Sequence, residues 1–249
     1  TALALAAGFR AIDTANQRKH YFEAGVGAAL ARSGIPREQV FLQTKFTHQP
    51  GQDQRLPYDP RAPITTQVQQ SFDSSLEHLG TSYLDSLVLH GPSVNHGLAP
   101  GDVEAWRAME TLHDRGLVRA IGISNVSTDQ LEQLIGIARV PPAFVQNRCY
   151  ASTGWDGHTR AVCRERGIGY QGFSLLTANR RELQRPLVDE IMKRSGMTRE
   201  QVVFRFAIQI GMIPLTGTSS DQHMREDLGV LERALTTTDV QAIERIAAG

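Results

Sequence analysis

Four side chains in the first 90 residues could together deliver a proton. Asp13 ends the run RAID, Lys45 ends FLQTK and His90 ends LDSLVLH, while Tyr21 follows Asp13 by eight residues. A charge at the end of a buried strand is costly unless it is paired or used. The three strand-terminal residues and the nearby tyrosine therefore form a candidate acid–base site.

This combination suits proton donation to a carbonyl oxygen while a hydride reaches the carbonyl carbon. A phenol has a pKa of about 10, which is high for work at neutral pH. We expect the Lys45 ammonium to lower the pKa of Tyr21, and the Asp13 carboxylate to keep that ammonium charged and oriented. The His90 imidazole could hydrogen-bond to the substrate oxygen. Each residue alone has an ordinary structural explanation, but their placement at consecutive strand–helix junctions favours a joint role.

Short apolar runs that alternate with longer helical patterns would position these residues. The predicted strands are Arg10–Thr14, Val40–Phe46, Leu84–His90, Ala120–Ser124, Phe144–Asn147, Gly169–Phe173 and Met212–Leu215. The predicted helices between them are Tyr21–Arg32, Ile64–Leu79, Glu104–Arg115, Thr128–Ile137, Gly157–Arg166 and Arg199–Gln209. Such alternation predicts parallel strands with right-handed helical crossovers.

The order of elements favours an α/β fold of the (β/α)8 TIM-barrel type. Thr1–Ala7 reads as a helix with Gly8 as its C-cap, and seven strands follow. A barrel needs eight strands, so we expect the first strand to be missing from a single barrel domain over residues 1–249. An open doubly wound sheet is the alternative, but no G-x-G-x-x-G turn follows an early strand. In a barrel, the active face lies at the C-terminal ends of the strands.

Composition excludes several classes of function. Lys plus Arg and Asp plus Glu both total 26, so no net charge recruits nucleic acid or a membrane surface. No run approaches the roughly 20 apolar residues of a membrane span. Cys149 and Cys163 do not suggest a disulfide scaffold, which favours the cytoplasm. The eight histidines are scattered, and we expect no metal site.

A series of motifs along nearly the whole chain resembles the aldo-keto reductases. The matching segments are GFRAIDTA at Gly8–Ala15, EAGVGAAL at Glu23–Leu30, TK at Thr44–Lys45, LDSLVLHGP at Leu84–Pro92, AIGISN at Ala120–Asn125, FVQN at Phe144–Asn147, GFSLL at Gly172–Leu176, and IPLTGTSS with REDL within Ile213–Leu228. Each motif is weak alone, but their order is strong evidence.

The resemblance implies a catalytic tetrad of Asp13, Tyr21, Lys45 and His90 with Tyr21 as general acid. It also implies an extended nicotinamide cofactor, with NADP favoured and NAD as the alternative. The implied cofactor-binding residues are Ser124, Asn125 and Gln146 at the carboxamide, Phe173 stacked on the nicotinamide, Ser174 and Leu176 near the pyrophosphate, and Gly217, Thr218, Ser219, Ser220 and His223 at the adenosine ribose and its phosphate. A flat ring beside the nicotinamide would fix the face that delivers hydride.

The sequence departs from the family pattern at three places. The family tyrosine stands five residues after the aspartate, where this chain has Arg18; counting back from Glu23 allows His20 or Tyr21, and Tyr21 supplies the phenol. At the adenosine end, Gly217 and His223 stand where lysine and arginine are typical, and Arg225 could substitute. The first strand usually contributes a cofactor and substrate contact, so we expect a longer N-terminus in the natural protein.

The expected substrate is a small carbonyl compound. Phe46 and Trp155 could form an apolar wall with Tyr58, and the loop Thr47–Ala62 could cover the site. The short tail after Ile246 suggests an open pocket with broad specificity. The expected activity is therefore NADPH-dependent reduction of aldehydes or ketones. A cofactor-binding sensor without turnover is the alternative, and an inactive fragment of an active parent is a third possibility. The sequence predicts no oligomeric state.

Overall fold

The computed structural model describes residues 1–247, which fall into two compact units. The first unit is Thr1–Val145 and the second begins at Gln146. The prediction of a single domain is not tested by this division and stays a prediction. No helix of residues 1–247 has both the length and the apolar character needed to cross a membrane.

The first unit alternates strands and helices from its start. Its elements are α1 (Ala2–Ala7), β1 (Ala11–Asp13), α2 (Glu23–Ser33), β2 (Phe41–Phe46), α3 (Ile64–Leu79), β3 (Leu84–Leu89), α4 (Pro100–Asp114), β4 (Val118–Ser124) and α5 (Thr128–Ile137), with short 3-10 helices at Arg37–Gln39 and Gln49–Gly51. Gly8 ends α1 with φ of 119°, a left-handed conformation that glycine adopts without strain.

The second unit continues the same alternation. β5 (Phe144–Arg148) crosses the boundary, and α6 (Gly157–Arg166), β6 (Gly169–Phe173), α7 (Arg180–Leu183), α8 (Pro186–Ser195), α9 (Arg199–Gln209), β7 (Met212–Pro214), α10 (Asp221–Gly229) and α11 (Thr237–Glu244) follow, with 3-10 helices at Ala151–Thr153 and Val230–Glu232. β6 pairs in parallel with β7, and Tyr170 lies opposite Met212.

Parallel pairing in the first unit brings the polar strand ends to one edge. β1 pairs with β2, β2 with β3 and β3 with β4, all in parallel. Asp13 lies opposite Gln43, and Lys45 lies opposite Val88, two residues before His90. Because parallel strands point the same way, their C-terminal ends meet at the same edge of the sheet.

The core of the first unit lies between these strands and the helices that follow them. All six residues of β3 are buried, and the large side chains of Phe72 on α3 and Trp106 on α4 are also buried. Asp85 is a charged residue within this strand. It forms ion pairs with Arg37 at 2.7 Å and Arg119 at 2.9 Å, which offset the cost of burying its carboxylate.

The structure agrees with the predicted order of elements and corrects several boundaries. The helices at Ile64–Leu79, Thr128–Ile137, Gly157–Arg166 and Arg199–Gln209 have the bounds that the sequence predicts. The predicted helix Tyr21–Arg32 is wrong at its start, because α2 begins at Glu23 and leaves Tyr21 in the preceding loop. α4 begins four residues earlier than predicted, since Asp102 accepts a hydrogen bond from the Ala99 N–H at 2.8 Å.

Candidate active site

An ion pair between the buried Lys45 and the half-buried Asp13 lies at the center of the candidate site. The Lys45 Nζ donates to Asp13 Oδ1 at 2.8 Å, to Asp13 Oδ2 at 2.7 Å and to the Thr14 carbonyl at 2.8 Å. Gln43 also donates to Asp13 Oδ1, at 2.7 Å. The neighbouring strands β1 and β2 supply both partners, so their parallel register produces the pair. Three acceptor contacts fix the ammonium in one place.

Tyr21 lies beside this pair in the loop between β1 and α2. Its ring packs edge-on against His90, with 5.9 Å between ring centroids and 70° between planes. The Lys45 Nζ lies 5.2 Å from the center of the Tyr21 ring. The Tyr21 N–H donates to the Gln17 carbonyl at 3.0 Å, and Gln17 donates in turn to the Gly51 carbonyl at 2.8 Å. The structure thus brings the tyrosine, lysine and histidine side chains together.

The expected fall in the pKa of Tyr21 is wrong for the site in this structure. Burial raises the pKa of Tyr21, and the negative charge of Asp13 raises it further. Lys45 does not reverse this shift, because its ammonium is bound by both oxygens of Asp13 and lies over the ring. The phenol is therefore held in its protonated form at neutral pH.

Burial also shifts the pKa of Lys45. The pKa of Lys45 is lowered by burial, while the Asp13 carboxylate and the charge of Glu23 oppose that shift. Asp13 therefore favours the charged form of Lys45, as the sequence suggests for a carboxylate at this position.

His90 is held at three points. Its backbone N–H donates to the Phe46 carbonyl at 2.9 Å, and its backbone carbonyl accepts from Asn125 Nδ2 at 2.8 Å. The ring Nδ1 is 2.7 Å from Thr47 Oγ1. Burial, and then the charge of Lys45, lower the pKa of His90 to about 4. The imidazole is therefore neutral at pH 7 and can act as a hydrogen-bond donor without a positive charge.

A buried polar cluster formed by Glu23, Thr44, Ser75 and His78 supports the start of α2. The Glu23 carboxylate accepts hydrogen bonds from Thr44 Oγ1 and from Ser75 Oγ, the latter at 2.9 Å, and its other oxygen is 3.1 Å from His78 Nδ1. Sequence reasoning assigned no role to Glu23. Since Tyr21 precedes Glu23 by two residues, this cluster anchors the segment that carries the phenol.

Two of the expected carboxamide-binding residues lie next to His90. Ser124 ends β4 and is buried, and Asn125 follows it with φ of 49°. Asn125 Nδ2 donates both to the His90 carbonyl and to Ser124 Oγ, at 2.8 and 3.1 Å. This left-handed conformation, which asparagine tolerates better than most residues, turns the exposed amide toward the strand end.

The second unit contains the other expected cofactor residues near its strand ends. Gln146 is buried in β5 and donates to Gln171 Oε1 at 2.9 Å. Phe173 ends β6 and is half-buried, and Ser174 follows with φ of 57°. Leu176 lies in the same loop and is also half-buried.

The residues expected at the adenosine end precede α10. Gly217 has open space where a Cβ would stand, Thr218 Oγ1 accepts from the Ser220 N–H at 3.1 Å, and Ser220 caps the helix by accepting from the His223 N–H at 3.3 Å. Ser219 lies between these two hydroxyl residues. A helix start preceded by hydroxyl side chains fits a phosphate group, because the backbone N–H groups of its first turn point toward that end.

Arg225 has a partner of its own on α10. Its guanidinium donates to the carboxylate of Asp221 at 2.9 Å, within the first turn of the helix. Both side chains are largely exposed, so this ion pair is weak and a phosphate could compete for the arginine.

The two expected substrate-binding aromatic residues are both buried. Phe46 packs against His48 and Tyr58, with ring centroids 5.2 and 5.7 Å apart. Trp155 is fully buried in the second unit, donates from Nε1 to the Ile243 carbonyl at 2.9 Å and packs on Phe206. Both side chains pack in the interior, and their contact with a substrate stays a prediction.

Asn179 is a structural residue that sequence reasoning missed. It is fully buried, accepts from the Ala151 N–H at 2.7 Å and donates to the carbonyls of Cys149 and Leu175 at 2.9 and 2.8 Å. It thereby joins the loops that follow β5 and β6. The sequence carries no pattern around this asparagine that distinguishes it from an exposed loop residue.

The two cysteines are free, buried thiols. Burial raises the pKa of both Cys149 and Cys163 to about 12, which makes them unreactive as thiolates. Among residues 1–247, no group of three or more histidine, cysteine, aspartate or glutamate side chains is placed to hold a metal ion.

Comparison with known proteins assigns the family. A sequence model of the Aldo/keto reductase family matches residues 1–248. An aldo-keto reductase of Mycolicibacterium vanbaalenii is 31% identical over 99% of this chain and 81% of its own length. The NAD/NADP-dependent indole-3-acetaldehyde reductase of Schizosaccharomyces pombe is 28% identical over 96% of this chain and 80% of its own length.

A solved structure supports the fold. The crystal structure of an aldo/keto reductase from Brucella melitensis matches 98% of this chain and 87% of its own chain, with a TM-score of 0.85 and 28% identity. The predicted α/β fold of the (β/α)8 type is therefore confirmed, and residues 1–247 contribute seven of its strands. With the family match along the chain and the Lys45–Asp13 ion pair beside Tyr21 and His90, this chain belongs to the aldo/keto reductase family of oxidoreductases.

Proposed function

We propose that this protein reduces aldehyde or ketone carbonyls to alcohols with hydride from NADPH, and that Tyr21 donates the proton. One observation carries the proposal: the Lys45 ammonium, paired with Asp13, lies over the Tyr21 ring, and the neutral His90 packs edge-on against the same ring. This is the arrangement that protonation of a developing alkoxide requires.

Tyr21 and His90 would each donate a hydrogen bond to the substrate oxygen. Within residues 1–247 the Tyr21 hydroxyl has no hydrogen-bond partner, so it is available to the carbonyl oxygen. His90 adds a second, neutral donor to the same oxygen. Two converging donors orient the carbonyl and stabilise the negative charge that develops on its oxygen.

The proton then moves from Tyr21 to the alkoxide. An alkoxide is a stronger base than a phenolate, so the transfer is downhill even from a phenol whose pKa is raised. The Lys45 ammonium, held by Asp13 at 5.2 Å from the center of the ring, attracts the resulting phenolate and offsets part of the burial and Asp13 charge that disfavour it. Solvent returns the proton to Tyr21 after the alcohol leaves.

The cofactor would supply the hydride when it is bound. In the first unit, Ser124 and Asn125 would hold its carboxamide. In the second unit we assign the carboxamide to Gln146, the nicotinamide ring to Phe173 and the pyrophosphate to Ser174 and Leu176. We assign the adenosine ribose and its phosphate to Gly217, Thr218, Ser219, Ser220 and His223. The N-terminus of α10 and the Arg225 guanidinium, which is exposed although it pairs with Asp221, support a nucleotide with a phosphate on its adenosine ribose, NADPH. Because the S. pombe reductase is named as NAD/NADP-dependent, each assay compares NADPH with NADH.

Replacement of Tyr21 tests the proposal directly. Tyr21→Phe removes only the hydroxyl, so we expect carbonyl reduction to fall by at least about 100-fold while NADPH binding stays within about twofold. Steady-state kinetics and cofactor fluorescence titration measure the two effects. Tyr83→Phe, a change at a half-buried tyrosine stacked between Arg37 and Arg119, is the matched control and should retain activity. Full activity in Tyr21→Phe would show that another group is the acid.

A cofactor-binding sensor without turnover is the second candidate. The raised pKa of Tyr21 and the displacement of this tyrosine from the usual spacing favour it. A sensor would bind NADPH but oxidise it with no carbonyl compound. A cytoplasmic location stays a prediction for either function.

A further inference from the structure

Thr47 is the first residue after β2 and stands two positions past Lys45. It is buried, and its backbone carbonyl accepts a hydrogen bond from the Tyr58 hydroxyl at 2.7 Å. Its methyl group packs against Gly51, where an added Cβ would lie only 2.8 Å from Thr47 Cγ2. These contacts on the backbone and the methyl group fix the direction in which the hydroxyl points.

That direction is toward the His90 ring. Thr47 Oγ1 lies 2.7 Å from His90 Nδ1, and the backbone of His90 is itself fixed by Phe46 and Asn125. The ring is neutral at pH 7, because burial and Lys45 lower the pKa of His90. A neutral imidazole carries one proton, on either Nδ1 or Nε2, so His90 has two tautomers.

The surroundings of the Thr47 hydroxyl distinguish these tautomers. Within residues 1–247, Nδ1 of His90 is the only hydrogen-bond partner of Thr47 Oγ1. If Nδ1 carried the proton, the hydroxyl would accept that bond and its own hydrogen would be buried without an acceptor. If Nε2 carries the proton, the hydroxyl donates to Nδ1 and no buried donor is left unpaired, since Nε2 of His90 is not among the buried polar atoms that lack a partner. A buried unpaired donor is costly, so the second arrangement is favoured.

We infer that Thr47 is a positioning residue that holds His90 in the tautomer with its proton on Nε2. In this form Nε2–H can donate to a carbonyl oxygen, whereas the other tautomer would turn a lone pair toward it. The consequence for catalysis rests on the proposed function, but the tautomer itself does not. The Tyr21 ring packs edge-on against the His90 ring, and the Lys45 ammonium is bonded to Asp13 and Thr14, so within residues 1–247 neither side chain replaces Thr47 at Nδ1.

Nuclear magnetic resonance of histidine labelled with ¹⁵N reads the tautomer without any assay of activity. Long-range ¹H–¹⁵N correlations separate the two forms, and the His90 signals are those lost in His90→Gln. We expect the Nε2–H form in the wild type and in Thr47→Ser, and a substantial Nδ1–H population in Thr47→Val. Thr81→Val is the control, because it removes a hydroxyl bonded to Arg37 and Tyr83 in the same unit. An Nδ1–H wild type, or a Thr47→Val spectrum like that of the wild type, would overturn the inference.

Kinetics then test the consequence for the reaction. Thr47→Val should lower kcat for carbonyl reduction by at least about tenfold with little change in the KM for NADPH, and Thr47→Ser should restore most of it. If the tautomer shifts in Thr47→Val and kcat does not change, the positioning role is wrong. If no form of the protein reduces a carbonyl, the proposed function fails, and the spectra still decide whether Thr47 sets the tautomer.

Discussion

Two features of its surroundings, burial and the nearby Lys45 charge, keep the His90 imidazole neutral. Burial disfavours its protonated form, and the Lys45 ammonium adds repulsion, so that the pKa of His90 falls to about 4. The same burial raises the pKa of Tyr21. At neutral pH the phenol therefore keeps its proton, although as a weaker acid than an exposed tyrosine, and the imidazole holds one proton without charge.

The low pKa of His90 predicts a loss of stability in acid. The unfolded ring has a pKa of about 6.5, so above that pH it is neutral in both states and contributes no pH dependence. As the pH falls from about 6.5 to about 4, the unfolded state gains a proton that the folded state does not bind. Stability present above pH 6.5 is therefore lost over this window, by on the order of 3 kcal/mol at most.

Denaturant unfolding at pH 7.5 and pH 5 measures this contribution. His90→Gln should show a smaller loss of unfolding free energy between the two pH values than the wild type. His96→Gln is the matched control, because this side chain is exposed and should leave the pH dependence as it is in the wild type. Equal pH dependence in wild type and His90→Gln would contradict a neutral buried ring.

At the scale of elements, helices α2 and α3 must approach closely to hold the Tyr21 loop. A Cβ on Gly27 of α2 would lie 2.2 Å from the His78 carbonyl and 2.9 Å from Leu79 Cα. Only glycine fits this contact. The Glu23 carboxylate crosses the same interface to Ser75 and His78, so packing and hydrogen bonding fix the start of α2 together.

Alanine at two helical glycines tests this contact. Gly27→Ala should lower the free energy of unfolding by about 1–3 kcal/mol, because backbone atoms of α3 must move. Gly136→Ala, in α5 with open space around the new methyl group, should instead be neutral or stabilising by up to about 1 kcal/mol. Thermal or denaturant unfolding compares the two variants. An equal response at both positions would show that α2 and α3 are not tightly packed at Gly27.

Local signals explain which elements the sequence could predict. The N-cap residues of α5 and α9 are Ser127 and Thr198, which each form a capping box with a glutamine three residues later, and both helices have the predicted bounds. α8 is not among the predicted helices, although the sequence carries signals for it: Pro186 starts it, Gly196 follows it, and Val188 and Ile191 form its buried face.

The site was predictable where it depends on neighbouring strands. Asp13 and Lys45 end consecutive parallel strands, so their contact follows from the fold. The pKa of Tyr21 was not predictable, because it depends on how deeply the phenol is buried and on how close the Asp13 charge lies in three dimensions. The contact of Thr47 with His90 also gave no signal in the sequence, since threonine is common beside a strand end.

At the scale of the whole molecule, family membership and the tetrad point to the same chemistry. The family match extends over residues 1–248, and the four expected catalytic residues lie together in the first unit. Formal net charge is zero, so the substrate is not drawn in by a strong overall field. Which carbonyl compound is reduced depends on local contacts around Tyr21 and His90.

Carbonyl-dependent oxidation of NADPH tests the central claim most directly. The purified protein is mixed with NADPH or NADH and a panel of aldehydes and ketones, and loss of the reduced cofactor is followed at its absorbance band. We predict that NADPH is consumed in equal amount to the alcohol formed, and that NADH is used less efficiently. Tight binding of NADPH with no turnover of any carbonyl would contradict the reductase and favour a sensor, and the absence of binding would contradict the proposed cofactor site itself.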